Sequence, residues 1–133
     1  MKHLFPAGLL LVLLHAAPVH AQAPALAPEQ AAPGTMLLTV FLRHDQSKTL
    51  DEINAHLKKN GWYDKFPGAG VDIVSWYVVM GVGQVVTLRL PAEKLREVNR
   101  VIETSAWGGY RTEFYPTYDY RGPWEAAKQR ARE

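Results

Sequence analysis

Val71-Asp-Ile-Val-Ser-Trp-Tyr-Val-Val-Met80, then Gly81-Val-Gly83, then Gln84-Val-Val-Thr-Leu-Arg-Leu90 and Pro91 is the stretch that decides the fold. Both flanks are rich in β-branched and aromatic residues, which fit a pleated, half-buried surface. The glycines between them supply the positive φ of a tight turn, so the stretch predicts a hairpin of strands 2 and 3. Pro91 reads as the opening of a second helix, where it forfeits no helical hydrogen bond. Leu95, Val98 and Ile102 give that helix an apolar stripe at the 3.6-residue period.

Upstream, Met36 to Arg43 (Met-Leu-Leu-Thr-Val-Phe-Leu-Arg) reads as strand 1, followed by the polar loop His44 to Lys48. Thr49-Leu-Asp-Glu52 has the form of a capping box: the Thr49 hydroxyl accepts from the Glu52 amide while the Glu52 carboxylate reaches back. Helix 1 follows, with Leu50, Ile53 and Leu57 on one side, Lys58 and Lys59 at its cation-favouring end and Asn60-Gly61 as its stop. Trp62 to Gly70 reads as a loop. Downstream, Gly108-Gly109 breaks the chain, Tyr110 to Tyr118 is strand 4, and a polar helix is expected from about Pro123 to Arg130. The order β-α-β-β-α-β predicts an α+β, ferredoxin-like domain with a four-stranded antiparallel sheet and two helices on one face.

Two helices cover one face only, and a second face in water would show alternating polarity. Strand 1 sets Leu37, Thr39 and Phe41 against Leu38, Val40 and Leu42; strand 2 sets Ile73, Ser75, Tyr77 and Val79 against Val74, Trp76, Val78 and Met80. A sheet apolar on both sides predicts an interface, and two-fold symmetry gives a homodimer with sheets face to face. The alternative is that the C-terminal segment folds over the second face of its own sheet.

The chain begins with Lys2 and an apolar run, Leu9 to Leu14, too short for the ~20 residues that span a bilayer. Val19-His20-Ala21 follows as a small-residue cleavage site. Residues 1–21 are read as a signal peptide cut after Ala21, 22–34 as an Ala/Pro-rich linker, 35–122 as the domain and 123–133 as a polar C-terminal helix or tail. The expected location is periplasmic or secreted, with no stable membrane insertion after cleavage. The 133 residues include no cysteine, which excludes disulfides, covalent haem attachment, thiol redox chemistry and Cys-type zinc sites. Fifteen Lys and Arg are interspersed with thirteen Asp and Glu, which does not make the concentrated basic face that nucleic acid requires.

With these elements in place, the chain resembles the dimeric α+β-barrel superfamily, which includes muconolactone isomerase and the GYD-type domains. The likeness covers about Met36 to Tyr120 and rests on Val78-Val-Met-Gly-Val-Gly-Gln-Val-Val-Thr-Leu-Arg-Leu-Pro91 and on Gly109-Tyr-Arg-Thr-Glu-Phe-Tyr115. GYD-type domains carry an Asp shortly after the hairpin glycine, where this chain has Gln84. The resemblance implies a dimeric barrel; no family catalytic residue aligns onto this chain.

A sheet in the order 4-1-3-2 brings Arg43, His44, Gln84, Tyr110 and Arg111 to one edge. Guanidiniums there suit a carboxylate-bearing ligand, and His44 is the candidate general acid or base. The plain alternative is a solvated rim with Arg43 paired to Asp45 or Glu113. Trp76 and Tyr77 are candidate pocket walls, with Trp62 and Tyr63 as a lid, while Tyr115 to Trp124 reads as an arm that wraps a neighbouring subunit. No metal site and no cofactor is expected; His56 reads as a helix-face partner of Glu52. A haem-binding variant, with His44 or His56 as axial ligand, is marked by nothing in the spacing. Three functions stay open: a non-enzymatic binder of a small organic, carboxylate-bearing or aromatic molecule; a cofactor-free, muconolactone-isomerase-like enzyme; and an accessory subunit docking on another exported protein.

Overall fold

The computed structural model describes residues 32–133. The signal peptide and most of the linker read from the sequence lie outside them. The elements run β1 (Thr35–His44), α1 (Leu50–Lys59), α2 (Trp62–Lys65), β2 (Asp72–Val79), β3 (Gly83–Pro91), a 3₁₀ turn (Ala92–Lys94), α3 (Leu95–Ser105), β4 (Tyr110–Thr117) and α4 (Arg121–Arg130). The four strands form one antiparallel sheet in the order β2-β3-β1-β4.

Alternation along each strand decides what the helices cover. Leu38, Val40 and Leu42 of β1 lie beside Val86, Leu88 and Leu90 of β3, all buried. Against them pack Ile53 and Leu57 of α1, Trp62 of α2, and Val98 and Ile102 of α3, closing one core. Removing such side chains from water stabilises the fold by about 1.5–3 kcal/mol each. Helix α1 starts at the expected capping box, with the Thr49 amide donating to Glu52 Oε2 at 2.7 Å and the Glu52 amide to Thr49 Oγ1 at 3.3 Å.

Several sequence expectations are corrected. The segment read as a loop from Trp62 contains α2. Pro91 closes β3 with extended backbone (φ −58°, ψ 139°), and α3 begins four residues later. Leu50 and Leu95, the first residues of their helices, are exposed. Glu52 is engaged by the cap, so it does not serve His56; the His56 ring instead meets the Trp107 carbonyl at 2.7 Å, tying α1 to the entry of β4. The C-terminal helix forms and starts two residues earlier than expected, at Arg121.

The second sheet face is mixed rather than apolar. A bulge between Ile73 and Ser75 puts Ile73 opposite Leu88, on the helix side, so strand 2 does not alternate through its whole length. The open face carries a hydroxyl row, with Thr39 Oγ1 3.2 Å from Thr87 Oγ1 and 3.1 Å from Thr117 Oγ1. Leu37, Phe41, Val85, Tyr77 and Tyr115 give it apolar area, and Arg43, Glu113 and Arg111 give it charge at one end. Strand β2 is a sheet edge, and Tyr77, Val78 and Met80 along it are exposed. No helix of the described residues is long and apolar enough to cross a membrane.

Candidate functional site

Register brings the predicted residues to one end of the sheet and divides them between its faces. His44 lies opposite Tyr110, and Gln84 opposite Leu42 and Val78, all on the helix side. Arg43 lies opposite Gly83 and Arg111, on the open side, and Tyr77 opposite Val85 shares that side. The side-chain period of two makes this division unavoidable: Arg43 and His44 are consecutive, as are Trp76 and Tyr77, and Tyr110 and Arg111.

On the helix side the residues form a continuous chain of contacts. Trp76 Nε1 donates to Gln84 Oε1 at 2.7 Å, and Gln84 Nε2 donates to Tyr110 Oη at 3.1 Å. The His44 ring stacks on the Tyr110 ring, with centroids 5.6 Å apart and planes 17° apart. Trp62 meets Tyr110 edge-on at 6.2 Å and stacks on Phe66 at 4.1 Å, and Phe66 meets Trp76 at 5.5 Å. Trp62 is therefore a core residue under the site rather than a lid; Tyr63, next to it, is exposed and touches Asn54 Oδ1 at 3.4 Å.

Two polar atoms in this chain are uncommitted. His44 Nε2 is buried and has no hydrogen-bond partner. Tyr110 Oη accepts from Gln84, and no acceptor for its own proton stands among the described residues. Burial raises the Tyr110 pKa, the nearby Tyr63 phenol adds to this, and the Gln84 bond opposes it. The phenol is thereby held as a neutral donor. A buried ring nitrogen without a partner is costly unless something supplies one, which makes this pair the chemically pointed part of the fold.

The open side is already satisfied. Arg43 Nε donates to Glu113 Oε1 at 2.6 Å and Nη2 to Oε2 at 3.4 Å, while Tyr115 Oη donates to Glu113 Oε2 at 3.0 Å. The Arg43 hydrogen bond, then that from Tyr115, lowers the Glu113 pKa, and Glu113 in turn raises that of Arg43. This is the ion pair that the sequence left as the plain alternative, and it occupies the Nε/Nη2 edge of the Arg43 guanidinium. Arg111, without a hydrogen-bond or ion-pair partner for its guanidinium among the described residues, is the available cation. It lines a shallow hollow of about 360 Å³ with Arg43, His44 and the hairpin residues Gly81 and Val82. A larger hollow of about 530 Å³ runs along α3 between charged side chains such as Glu93 and Arg96. It holds none of the aromatic or unpartnered groups and is ordinary helix surface.

Sequence reasoning missed Phe66, which links Trp62 to Trp76. Its place inside a short helix-and-turn segment gave no periodic signal. Among the described residues no group of three or more His, Cys, Asp and Glu is placed to hold a metal ion. No protein-family model, no curated protein and no solved structure matches the chain.

Proposed function

We propose that this chain is an exported, small-molecule-binding protein of ferredoxin-like α+β type that works as a homodimer. Its ligand is a small organic molecule, aromatic or carboxylate-bearing, seated at the Trp76–Gln84–Tyr110 end of the sheet. The observation that carries the reading is the pair of uncommitted polar atoms on stacked rings, His44 Nε2 and the Tyr110 hydroxyl. A ligand that accepts from Tyr110 and engages His44 would relieve an unsatisfied buried nitrogen, and the aromatic walls would cover its apolar part. Arg111 at the rim supplies a counter-charge for a carboxylate. The sheet's uncovered face and the signal-like N-terminus support the dimer and the export.

The same nitrogen supports a second reading, an isomerase-like enzyme in which His44 moves a proton. Native mass spectrometry of residues 22–133 purified from the cells that make them separates the possibilities. Binding predicts a bound small mass that disappears in Tyr110→Phe and His44→Ala while the assembly persists. A bound mass retained by both variants, or none in the parent protein, rejects the site. Turnover of the identified compound that His44→Ala abolishes would establish the enzyme.

A further inference from the structure

The arm that follows β4 shows most of its aromatic surface to solvent. No residue of α4 is buried. Yet the arm is ordered at its root: Asp119 Oδ1 accepts from the Arg121 amide and Nε, each at 2.9 Å, and the Tyr118 and Tyr120 rings meet edge-on at 6.3 Å. It presents Tyr118 at 77 %, Tyr120 at 55 % and Trp124 at 52 % exposure. At the opposite edge of the sheet, β2 and its turn leave Tyr77 and Val78 at 69 % and Met80 at 93 % exposure. Two apolar surfaces, one projecting and one lying open, stand at opposite edges of one sheet.

We propose that the arm of one copy, Tyr118 to Arg130, docks on the β2 edge of a second copy, and reciprocally. This rests on the homodimer reading above. Symmetry supplies the geometry. When two sheets face each other about a two-fold axis parallel to the strands, the β4 edge of each lies over the β2 edge of the other; an axis across the strands would instead set β2 over β2.

Area favours the same arrangement. Four strands of about eight residues present a face of about 500 Å², short of the roughly 800 Å² per partner that a stable interface buries. At about 150–250 Å² for a whole aromatic side chain, the exposed parts of Tyr118, Tyr120 and Trp124 add about 400 Å². The arm therefore brings the dimer to the usual size, and by covering Val78 it completes the outer wall beside Trp76 on the helix side of β2.

The absence of cysteine makes the test direct. Mature chains carrying Met80→Cys are mixed with chains carrying Trp124→Cys and oxidised, both changes being at exposed positions. The expected result is a disulfide-linked dimer that forms in the mixture and not in either chain alone. A Met80→Cys chain that links to itself indicates β2 against β2 and overturns the proposal, as does a mixture that yields no linked dimer. In a chain carrying both changes, a link within one chain would show that the arm covers its own β2, which also overturns it. In sedimentation, Tyr120→Ala with Trp124→Ala is expected to weaken the dimer at least about 30-fold. An unchanged dimer refutes the arm's part in it. Linked dimers without any bound small mass would reject the ligand site and leave this interface standing.

Discussion

Gly81 and Gly83, two residues apart in the same hairpin, are expected to respond very differently to alanine. Both have positive φ, +77° and +138°. At Gly81 an added Cβ meets nothing within 4 Å, so the cost is the backbone term alone, about 1–2 kcal/mol. At Gly83 the same Cβ would stand 2.2 Å from the Leu42 carbonyl oxygen and 2.9 Å from the His44 amide nitrogen. Both are backbone atoms of the adjoining strand, held by the β1–β3 ladder, and cannot swing aside as a side-chain tip would. The strands must part or the hairpin must slip, and the expected loss is about 4 kcal/mol or more, in the range reserved for strained or overpacked sites. For a domain of this size, each kcal/mol lowers Tm by about 4–8 °C. Thermal melts followed by tryptophan fluorescence should put Gly81→Ala within roughly 5–15 °C of the parent and Gly83→Ala at least about 15 °C below it. Gly83→Ala should also disturb Gln84, its chain neighbour, and His44, whose backbone amide the new Cβ would press, and so lose any bound small mass. Equal melting points for the two variants would refute the steric argument.

The capping box predicts that Thr49→Ala costs about 1 kcal/mol, read from urea unfolding. Arg43→Ala should leave the urea midpoint close to the parent's, because the Arg43–Glu113 pair is part-exposed and screened by water; a large drop would mean that this face is buried in the native assembly. Spectrophotometric titration should find Tyr110 ionising above the ordinary tyrosine value near pH 10, and higher still in Gln84→Leu, where the bond that lowers its pKa is gone. Because its folded pKa is raised, this group's contribution is present below the unfolded value near pH 10 and fades as pH rises through the folded value. Asp119 behaves in the opposite sense. Its hydrogen bonds with Arg121 hold its pKa at about 2, so its contribution is present above the unfolded value near 3.8 and is lost as pH falls toward 2. NMR titration of its carboxyl checks the value, and Arg121→Ala, which removes the guanidinium but keeps the backbone amide donor, should raise it part of the way toward the ordinary range.

Much of the frame was legible because it rests on short-range rules. Thr49-Leu-Asp-Glu52 announced α1, and Gly81-Val-Gly83 between two β-rich runs announced the hairpin. The strand order, read as 4-1-3-2, is the observed one. What failed was parity. Counting by twos through Val71 to Met80 missed the bulge between Ile73 and Ser75, since nothing in Ile73-Val74-Ser75 marks an extra residue. The site suffered from a related limit. A sheet edge was read as one locus for Arg43, His44, Tyr110 and Arg111, although neighbours in sequence point to opposite faces. Trp62 looked like a lid because an aromatic after a helix end carries no sign of burial; the turn of α2 that folds it inward depends on its stacking with Phe66.

That division has a chemical consequence. Arg43 and the Tyr110 hydroxyl belong to opposite faces, which meet at the hairpin end where Arg43, His44 and Arg111 line one hollow. Arg43 is matched to Glu113, which also accepts from Tyr115. His44 and Tyr110 lie on the helix side, where Trp62, Phe66 and Trp76 exclude water from one flank and the β2 edge leaves the other open. Under the proposed function, recognition and assembly would be separate duties of the two faces, joined at β2. Trp76 and Tyr77 lie on opposite faces of that strand, so one strand's displacement moves both. A ligand that fixes Trp76 through Gln84 would steady the edge on which a partner rests, and linkage requires the partner to strengthen ligand binding by the same factor.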